Sequence, residues 1–381
     1  MPRRVRKDGG RGPRGAPVRY AVVGLGHIAQ AAVLPAFAHA KRDASLVALV
    51  SDDTTKLRVL GRRYSVEHLL GYGEYGDLLE SGAVDAVFVA LPNSMHLDFT
   101  VRAAEAGVHV LCEKPLGVTE AECRTMIRAC DRAGVRLMTA YRLHFEAANL
   151  KALEVARSGK IGDLRAFSSV FTMQVRDPGN IRLRAETGGG PLHDIGIYCI
   201  NAARTLFGDE PESVFAESVR SGDARFREID ETVSVVMRFG GDRVAGFICS
   251  FGAADVSSYR LVGTRGDIVL EPAYEYAEGL RCRVTVDGKA RVLRYAKRDQ
   301  FAAELVYFSR CVRRGTVPEP SGLEGLADVR VIEAALKSIR LGRPVALRAG
   351  VRPRHPAPRQ RIDREAVRKR RAVHAKSPSG D

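Results

Sequence analysis

The sequence predicts a two-part protein: a parallel, doubly wound α/β domain followed by an α+β domain with an open, mostly antiparallel sheet. Three observations carry this. A Gly-x-Gly-x-x-Ala turn, Gly24, Gly26 and Ala29, follows the first apolar run, "VRYAVV". Residues 18–142 then alternate β-branched runs with segments of helical period that end on Gly, the grammar of a parallel sheet. After about Leu143 the spacing changes to short strand-like runs joined by tight turns, "GGD", "RGD" and "DGK", the grammar of hairpins. A chain of 381 residues is also long enough for two domains that each bury a core.

In the first part, "VRYAVVGLG", "SLVALVS", "VDAVFVALPN", "VHVLCEKP" and "VRLMTAYR" read as five strands. Between them "SMHLDFTVRAAEAG" and "TEAECRTMIRACDRAG" read as helices closed by a C-terminal Gly. Pro35 interrupts the helix after the Gly turn and leaves its bounds open. In the second part, "DLRAFSSVFTMQV", "DETVSVVMRF", "DRVAGFICSFG", "YRLVGTRGDIVLEP" and "RCRVTVDGKARVLRY" read as strands. The helices "DIGIYCINAARTLFG", "QFAAELVYFSRCVRRG" and "GLEGLADVRVIEAALKSIRLG" would cover one face of that sheet. The expected division is 18–142 for a dinucleotide-binding Rossmann domain and 143–346 for a substrate and oligomerisation domain, with basic tails at 1–17 and 347–381.

The net charge of +15 suggests a nucleic-acid partner until its distribution is considered. Residues 1–17 carry six Arg/Lys and one Asp, and residues 348–381 carry eleven Arg/Lys and three acids. The tails thus hold +13, which leaves the body close to neutral. Poor in apolar residues, they are expected to be disordered and solubilising, with at most weak electrostatic attraction to nucleic acid. No apolar run reaches the ~20 residues of a membrane span, and no apolar signal region follows the first charges. Seven cysteines without CxxC spacing point to reduced thiols and a cytoplasmic protein. No carboxylate–histidine cluster suggests a metal.

The Gly turn explains itself as a phosphate cradle. Gly24 permits the tight turn and Gly26 lets backbone approach a pyrophosphate, which meets the helix N-terminus at His27, Ile28 and Ala29. The second strand ends "VSDDTTK". Asp52 there would favour the ribose 2′-hydroxyl of NAD, whereas Ser51 and Lys56 would hold the 2′-phosphate of NADP; Asp53 also fits a helix cap. NADP(H) is the expected cofactor, with NAD(H) possible. The third strand ends in "LPNSMH", offering Leu91, Pro92, Asn93 and His96 to a nucleotide, or simply a turn capped by Asn93 or Ser94. The fourth ends on Glu113, Lys114 and Pro115, an acid and a base where ligands bind in open sheets, before a bond at which a cis peptide is affordable.

"GLGHIA", "ALPNSMH", "CEKPL", "AYRLHF" and "GGGPLHDIGIYCINAAR", in that order, resemble the glucose–fructose oxidoreductase / inositol dehydrogenase / rhizopine-catabolism (Gfo/Idh/MocA) family. The resemblance spans roughly residues 18–345. It is strongest toward the glucose–fructose oxidoreductase members, through Ser51 and Lys56, "RLRAETGGG" and "DIGIY". Asp52 and Asp53 depart from those members, which have smaller or neutral residues there, and the exported members' signal peptide is missing. The resemblance implies nicotinamide-dependent hydride transfer at a pyranose sugar, at aldose C1, or at a related polyol. It places Lys114 at the catalytic centre with a peptide to Pro115 that is often cis, and Tyr72 near the adenine.

Asp194 and Tyr198 are four residues apart, so they share a helical face. Tyr198 would take the hydroxyl proton as hydride leaves, aided by the Lys114 ammonium, which favours a phenolate. Asp194 would bind a second hydroxyl or hold Lys114. His193 is either a neighbour or a substrate contact. Arg142 and Arg182 are expected as cofactor or substrate ligands, or else as solvated surface. A non-catalytic NAD(P)-binding sensor of the same fold is the alternative, but a sensor has no need of the Lys114, Asp194 and Tyr198 set. Apolar strands such as "AGFICSF" leave a second sheet face to cover, so a homodimer or homotetramer is expected.

Overall fold

The computed structural model describes residues 15–348, 350, 355–368 and 370–379. The first sheet is parallel and six-stranded, in the order β3-β2-β1-β4-β5-β6. Its strands are β1 (Val18–Val23), β2 (Ala44–Val50), β3 (His68–Leu70), β4 (Ala86–Val89), β5 (His109–Glu113) and β6 (Leu137–Ala140). The order reverses between β1 and β4, which opens a crevice at their carboxyl ends. The sequence reading found five of the six. The missed β3 is a three-residue edge strand whose His68 and Leu69 are exposed, so it carries no buried periodicity.

The helix after the Gly turn shows why its bounds were unreadable. A π-helical turn, Ala29–Val33, runs directly into α1 (Leu34–Ala40). The widened turn puts Pro35 in the first turn of a new α-segment, where a missing N–H is tolerated. The remaining helices of this layer are α2 (Thr54–Tyr64), α3 (Tyr75–Glu80), α4 (His96–Glu105) and α5 (Glu120–Ala133). Thr119 and Glu122 form a reciprocal cap that starts α5 and pins the loop leaving β5.

The second sheet has nine strands in the order β14-β13-β12-β11-β7-β10-β9-β8-β15. They are β7 (Leu164–Gln174), β8 (Ser213–Val219), β9 (Thr232–Phe239), β10 (Arg243–Ser250), β11 (Gly252–Gly263), β12 (Gly266–Leu270), β13 (Leu280–Val286), β14 (Lys289–Tyr295) and β15 (Val345–Ala346). All pairings are antiparallel except β7 with β10. One face packs on α6 (Ala147–Arg157) and α7 (Ile197–Phe207). The other leaves Val236, Val244 and Ile248 exposed.

Two expectations about chain organisation need correction. The division at residue 142 is not a clean cut. Helix α8 (Gln300–Arg314) returns to the first sheet, where Phe301, Leu305 and Phe308 share a core with Tyr20 and Phe37. The Tyr20 hydroxyl meets Ser309 Oγ at 2.8 Å. Helix α9 (Gly322–Leu341) bridges both parts: Val329 packs with Val110 and Met126, Ile332 with Ile200 and Val214.

The second correction concerns the C-terminal segment, expected to be a free tail. Its described residues lie along the body. Arg157 donates to the Pro356 carbonyl, Gln360 to Glu319, and Ile362 N–H to the Phe145 carbonyl. Ile362 and Val373 pack on the first core. A few apolar anchors and an extended backbone offering its own hydrogen bonds suffice to dock it, which an average over its composition conceals. Residues 1–14 of the N-terminal tail lie outside the described residues.

Candidate active site

A cleft of about 540 Å³ runs across the carboxyl ends of β1, β2, β4 and β5 and into the second sheet. Its first wall is the Gly turn. Gly24 has φ +90°, and a Cβ there would meet the Ala90 carbonyl oxygen at 2.5 Å, so no other residue fits. Gly26 is the opposite case: a Cβ there would meet nothing within 4 Å, because the backbone faces open cleft. Gly24, Gly26, His27 and Ile28 line the cleft, while Ala29 is buried behind them.

At the end of β2, Ser51, Lys56 and Tyr72 face the cleft. Asp52 does not line it. Its carboxylate accepts the Tyr72 N–H at 2.7 Å and the residue is exposed. Asp53 caps α2, accepting the Lys56 N–H at 2.9 Å. Burial pushes the Tyr72 phenol up. After β4, Leu91, Pro92 and Asn93 line the cleft, with the Asn93 amide donating to the Gly188 carbonyl at 2.8 Å. His96, expected beside a nucleotide, is fully buried instead. Its ring nitrogens lie 2.9 and 3.0 Å from the Pro115 and Leu91 carbonyls, tying two strand-end loops together behind the cleft.

The loop after β5 carries the inner end of the site. The Lys114–Pro115 peptide is cis. Lys114 Nζ donates to the Asp194 carboxylate at 3.1 Å and lies 4.8 Å from the centre of the Tyr198 ring. Arg182 donates to the other Asp194 oxygen at 2.6 Å. Burial opposes ionisation of Asp194, but the Arg182 and Lys114 charges hold its carboxyl well below the usual carboxylate range. Burial likewise opposes the Lys114 charge, yet Asp194, Tyr198 and Glu113 raise its pKa on balance. Glu113 is pushed up to about 6 by burial, against the opposing pull of Lys114, and its Oε1 is buried without a partner. Arg142 lies over the Tyr198 ring at 5.1 Å and donates to Gln300 and the Tyr274 carbonyl.

A π-turn again sets the geometry. Asp194 sits in the π-helical turn Leu192–Gly196, and Tyr198 is in the first turn of α7. Gly188 and Gly190 have positive φ, and a Cβ on Gly189 would meet the Arg182 carbonyl oxygen at 2.4 Å, so the Gly run folds tightly over the arginine loop. At its far end α7 is locked by Arg204, which is fully buried between Glu210, Glu324 and Asp328. His193 does not line the cleft; it is buried, and desolvation pushes its imidazole down to about 4.

Residues the sequence reading passed over complete the site. Phe171, Thr172 and Met173 on β7 and the loop residues Tyr274, Glu275 and Tyr276 line it, with Phe301 of α8. Phe171, Tyr198 and Tyr274 form an aromatic cluster with centroids 5.1–5.9 Å apart. The one available sign was "AYEY" after a proline, aromatics clustered in an otherwise polar loop. The open face at Gly26, the helix start behind it and the unpartnered Glu113 oxygen fit a dinucleotide with its nicotinamide at the inner end.

Residues 18–141 match the oxidoreductase family with an NAD-binding Rossmann fold, and residues 149–269 match the GFO/IDH/MocA C-terminal domain. The chain belongs to the GFO/IDH/MocA oxidoreductase family. Among its relatives, an uncharacterized oxidoreductase, ORF334, of Rhizobium meliloti is 34% identical over 85% of this chain and 98% of its own length. A D-xylose 1-dehydrogenase [NADP(+)] of Haloarcula marismortui is 31% identical over 84% of this chain and 91% of its own length. The crystal structure of an aldose-aldose oxidoreductase from Caulobacter crescentus, complexed with glycerol, superposes with a TM-score of 0.83 at 37% identity, covering 87% of this chain and 100% of its own. Among the described residues no helix is long and apolar enough to cross a membrane.

Proposed function

We propose that this GFO/IDH/MocA oxidoreductase transfers hydride between NADP(H) and a sugar, at C1 of a pyranose aldose or at a carbinol of a related polyol. The observation that carries the reading is the Lys114 ammonium, bonded to Asp194 and lying over Tyr198 at the inner end of the cleft. When bound, the nicotinamide supplies the hydride acceptor. Tyr198 enters the step as a phenolate beside the Lys114 ammonium, takes the substrate hydroxyl proton as hydride leaves the same carbon, and ends as a neutral phenol. Asp194, held ionised, fixes Lys114 and offers an acceptor to a neighbouring hydroxyl. Tyr274 and Phe171 give the sugar ring an apolar wall, and Asp255 and Glu275 give its outer hydroxyls acceptors. Gly26, His27, Ile28, Leu91, Pro92 and Asn93 hold the dinucleotide, with Ser51 and Lys56 at a 2′-phosphate. Names of relatives support the sugar and the NADP preference.

The test is steady-state oxidation of a panel of aldoses and inositols with NADP+ and NAD+, followed by nicotinamide absorbance. Turnover of an aldose or polyol that prefers NADP+ supports the reading. Cofactor binding with no turnover of any sugar in either direction overturns it and favours a sensor.

A further inference from the structure

The C-terminal segment reaches the cofactor cleft. Val373 is clamped by Gln30, whose side-chain amide accepts the Val373 N–H and donates to its carbonyl, both at 2.8 Å. Gln30 lies in the helix that begins at the Gly turn. His374 Nδ1 lies 3.0 Å from the Asp53 carboxylate, at the cap of α2. On the opposite bank, beyond β7, the Arg176 N–H donates to the Pro378 carbonyl at 3.3 Å, and Lys376 lies 3.6 Å from Asp177. At the far end of this span Ser377, Pro378 and Ser379 line the same cleft as Gly26 and Lys56. The segment therefore crosses from the dinucleotide-binding layer to the second sheet over the site.

Charge and length agree with a role at that cleft. Residues 373–379 carry one Lys, Lys376, and no acid, so the segment that reaches the cleft brings positive charge to a site for an anionic dinucleotide. The relatives are matched over 98% and 100% of their own lengths, yet these matches leave 15% and 13% of this chain unmatched. Residues 1–17 and 348–381 together make up a share of about that size.

We propose that residues 373–379 are a further part of the cofactor site: a strap that closes over the bound nicotinamide dinucleotide and slows its release. This rests on the nicotinamide-binding reading of the cleft but not on the identity of the sugar. With its banks joined by the strap, the cleft releases a cofactor only after the Gln30–Val373 clamp opens. Retention is then set by an opening step, and contacts made by the strap to the cofactor act on dissociation more than on association.

The test measures NADPH dissociation by stopped-flow fluorescence after a chase with excess NADP+, without sugar, in the full chain and in two variants. One is truncated after Ala372. The other is Val373→Pro, which removes the N–H donated to Gln30 while leaving the body untouched; thermal unfolding verifies that each folds. The expected result is dissociation about tenfold faster or more in both, with association changed less. Unchanged dissociation in the folded variants overturns the strap. Tighter binding on truncation also overturns it, by showing a segment that competes with cofactor. If the truncated chain fails to fold, Val373→Pro decides alone. A strap that fails leaves binding and sugar turnover intact, whereas failure of the functional reading shows as absent turnover whatever the dissociation rate.

Discussion

Lys114 Nζ lies 2.6 Å from the main-chain oxygen of Asp194 and 3.1 Å from its carboxylate. Eighty positions of sequence separate them, and they come from different sheets' connections, so this pair joins the two halves of the protein at the inner end of the cleft. The ammonium is fixed between the strand that presents it and the helix that presents Tyr198. Removing the phenol oxygen alone therefore tests chemistry with little repacking. Tyr198→Phe is expected to lower kcat by ~10²–10⁴-fold with cofactor affinity retained. Lys114→Ala is expected to cost as much or more, and the double variant no more than the worse single one, because each acts through the other. Unchanged turnover in Tyr198→Phe would remove the tyrosine from the mechanism.

Cofactor choice is expected to follow Lys56 and not Asp52. Asp52 is engaged by the Tyr72 N–H, while Ser51 and Lys56 face the cleft. Lys56→Ala is expected to weaken NADP+ by roughly 10–100-fold and NAD+ hardly at all, read by titration of cofactor fluorescence quenching. Equal loss for both cofactors would assign Lys56 a structural role.

Stability is expected to depend on pH through the buried pair His144 and Glu319, whose charged atoms lie 2.8 Å apart. Burial lowers the affinity of His144 for its proton, but Glu319 outweighs this and raises its pKa to about 9. A histidine raised in the folded state contributes stability that is full below its ordinary value near 6.5 and is lost as pH rises through about 9. Glu319→Gln is therefore expected to destabilise by up to about 3 kcal/mol near pH 6, where the carboxylate is ionised and the imidazole protonated, with the gap closing above pH 9. Denaturant titrations across that range check it; a gap independent of pH would contradict it.

The open face of the second sheet is expected to be covered by another copy of the chain. Val244 and Ile248 on β10 and Val236 on β9 point away from the core and are exposed, with Gly246 between them opposite Val236. Ile248→Lys is expected to shift the protein from dimer or tetramer toward monomer with turnover per chain reduced less than mass. Sedimentation velocity reads the masses. A wild-type monomer at micromolar concentration would refute the proposed interface.

The site was legible where local chemistry is written in consecutive residues. Gly24 had to be glycine because a Cβ there meets the Ala90 carbonyl, Gly26 leaves its backbone bare toward the open cleft, and their spacing shows the turn. The Glu113–Lys114–Pro115 end of β5 stood out because an acid and a base do not finish an apolar strand inside a core. Asp194 and Tyr198 were readable as one helical face, although a π-turn rather than a uniform helix aligns them. His96 misled and His193 stayed open, because a histidine next to a motif looks the same in sequence whether it faces a ligand or is buried, as His96 is between two carbonyls.

What the sequence by itself determined is the set of elements and the chemistry at their ends: strands by β-branched runs, helices by period and caps, the cofactor turn by its glycines. Tertiary structure alone decided the rest. It returned α8 to the first core and placed Tyr274 and Phe171 beside Tyr198. It also turned Asp52 to the Tyr72 N–H and laid residues 373–379 across the cleft. Each of these rests on contacts between residues tens to hundreds of positions apart. Local propensity carries no record of such contacts, because their energy comes from surfaces that exist only once the chain has folded.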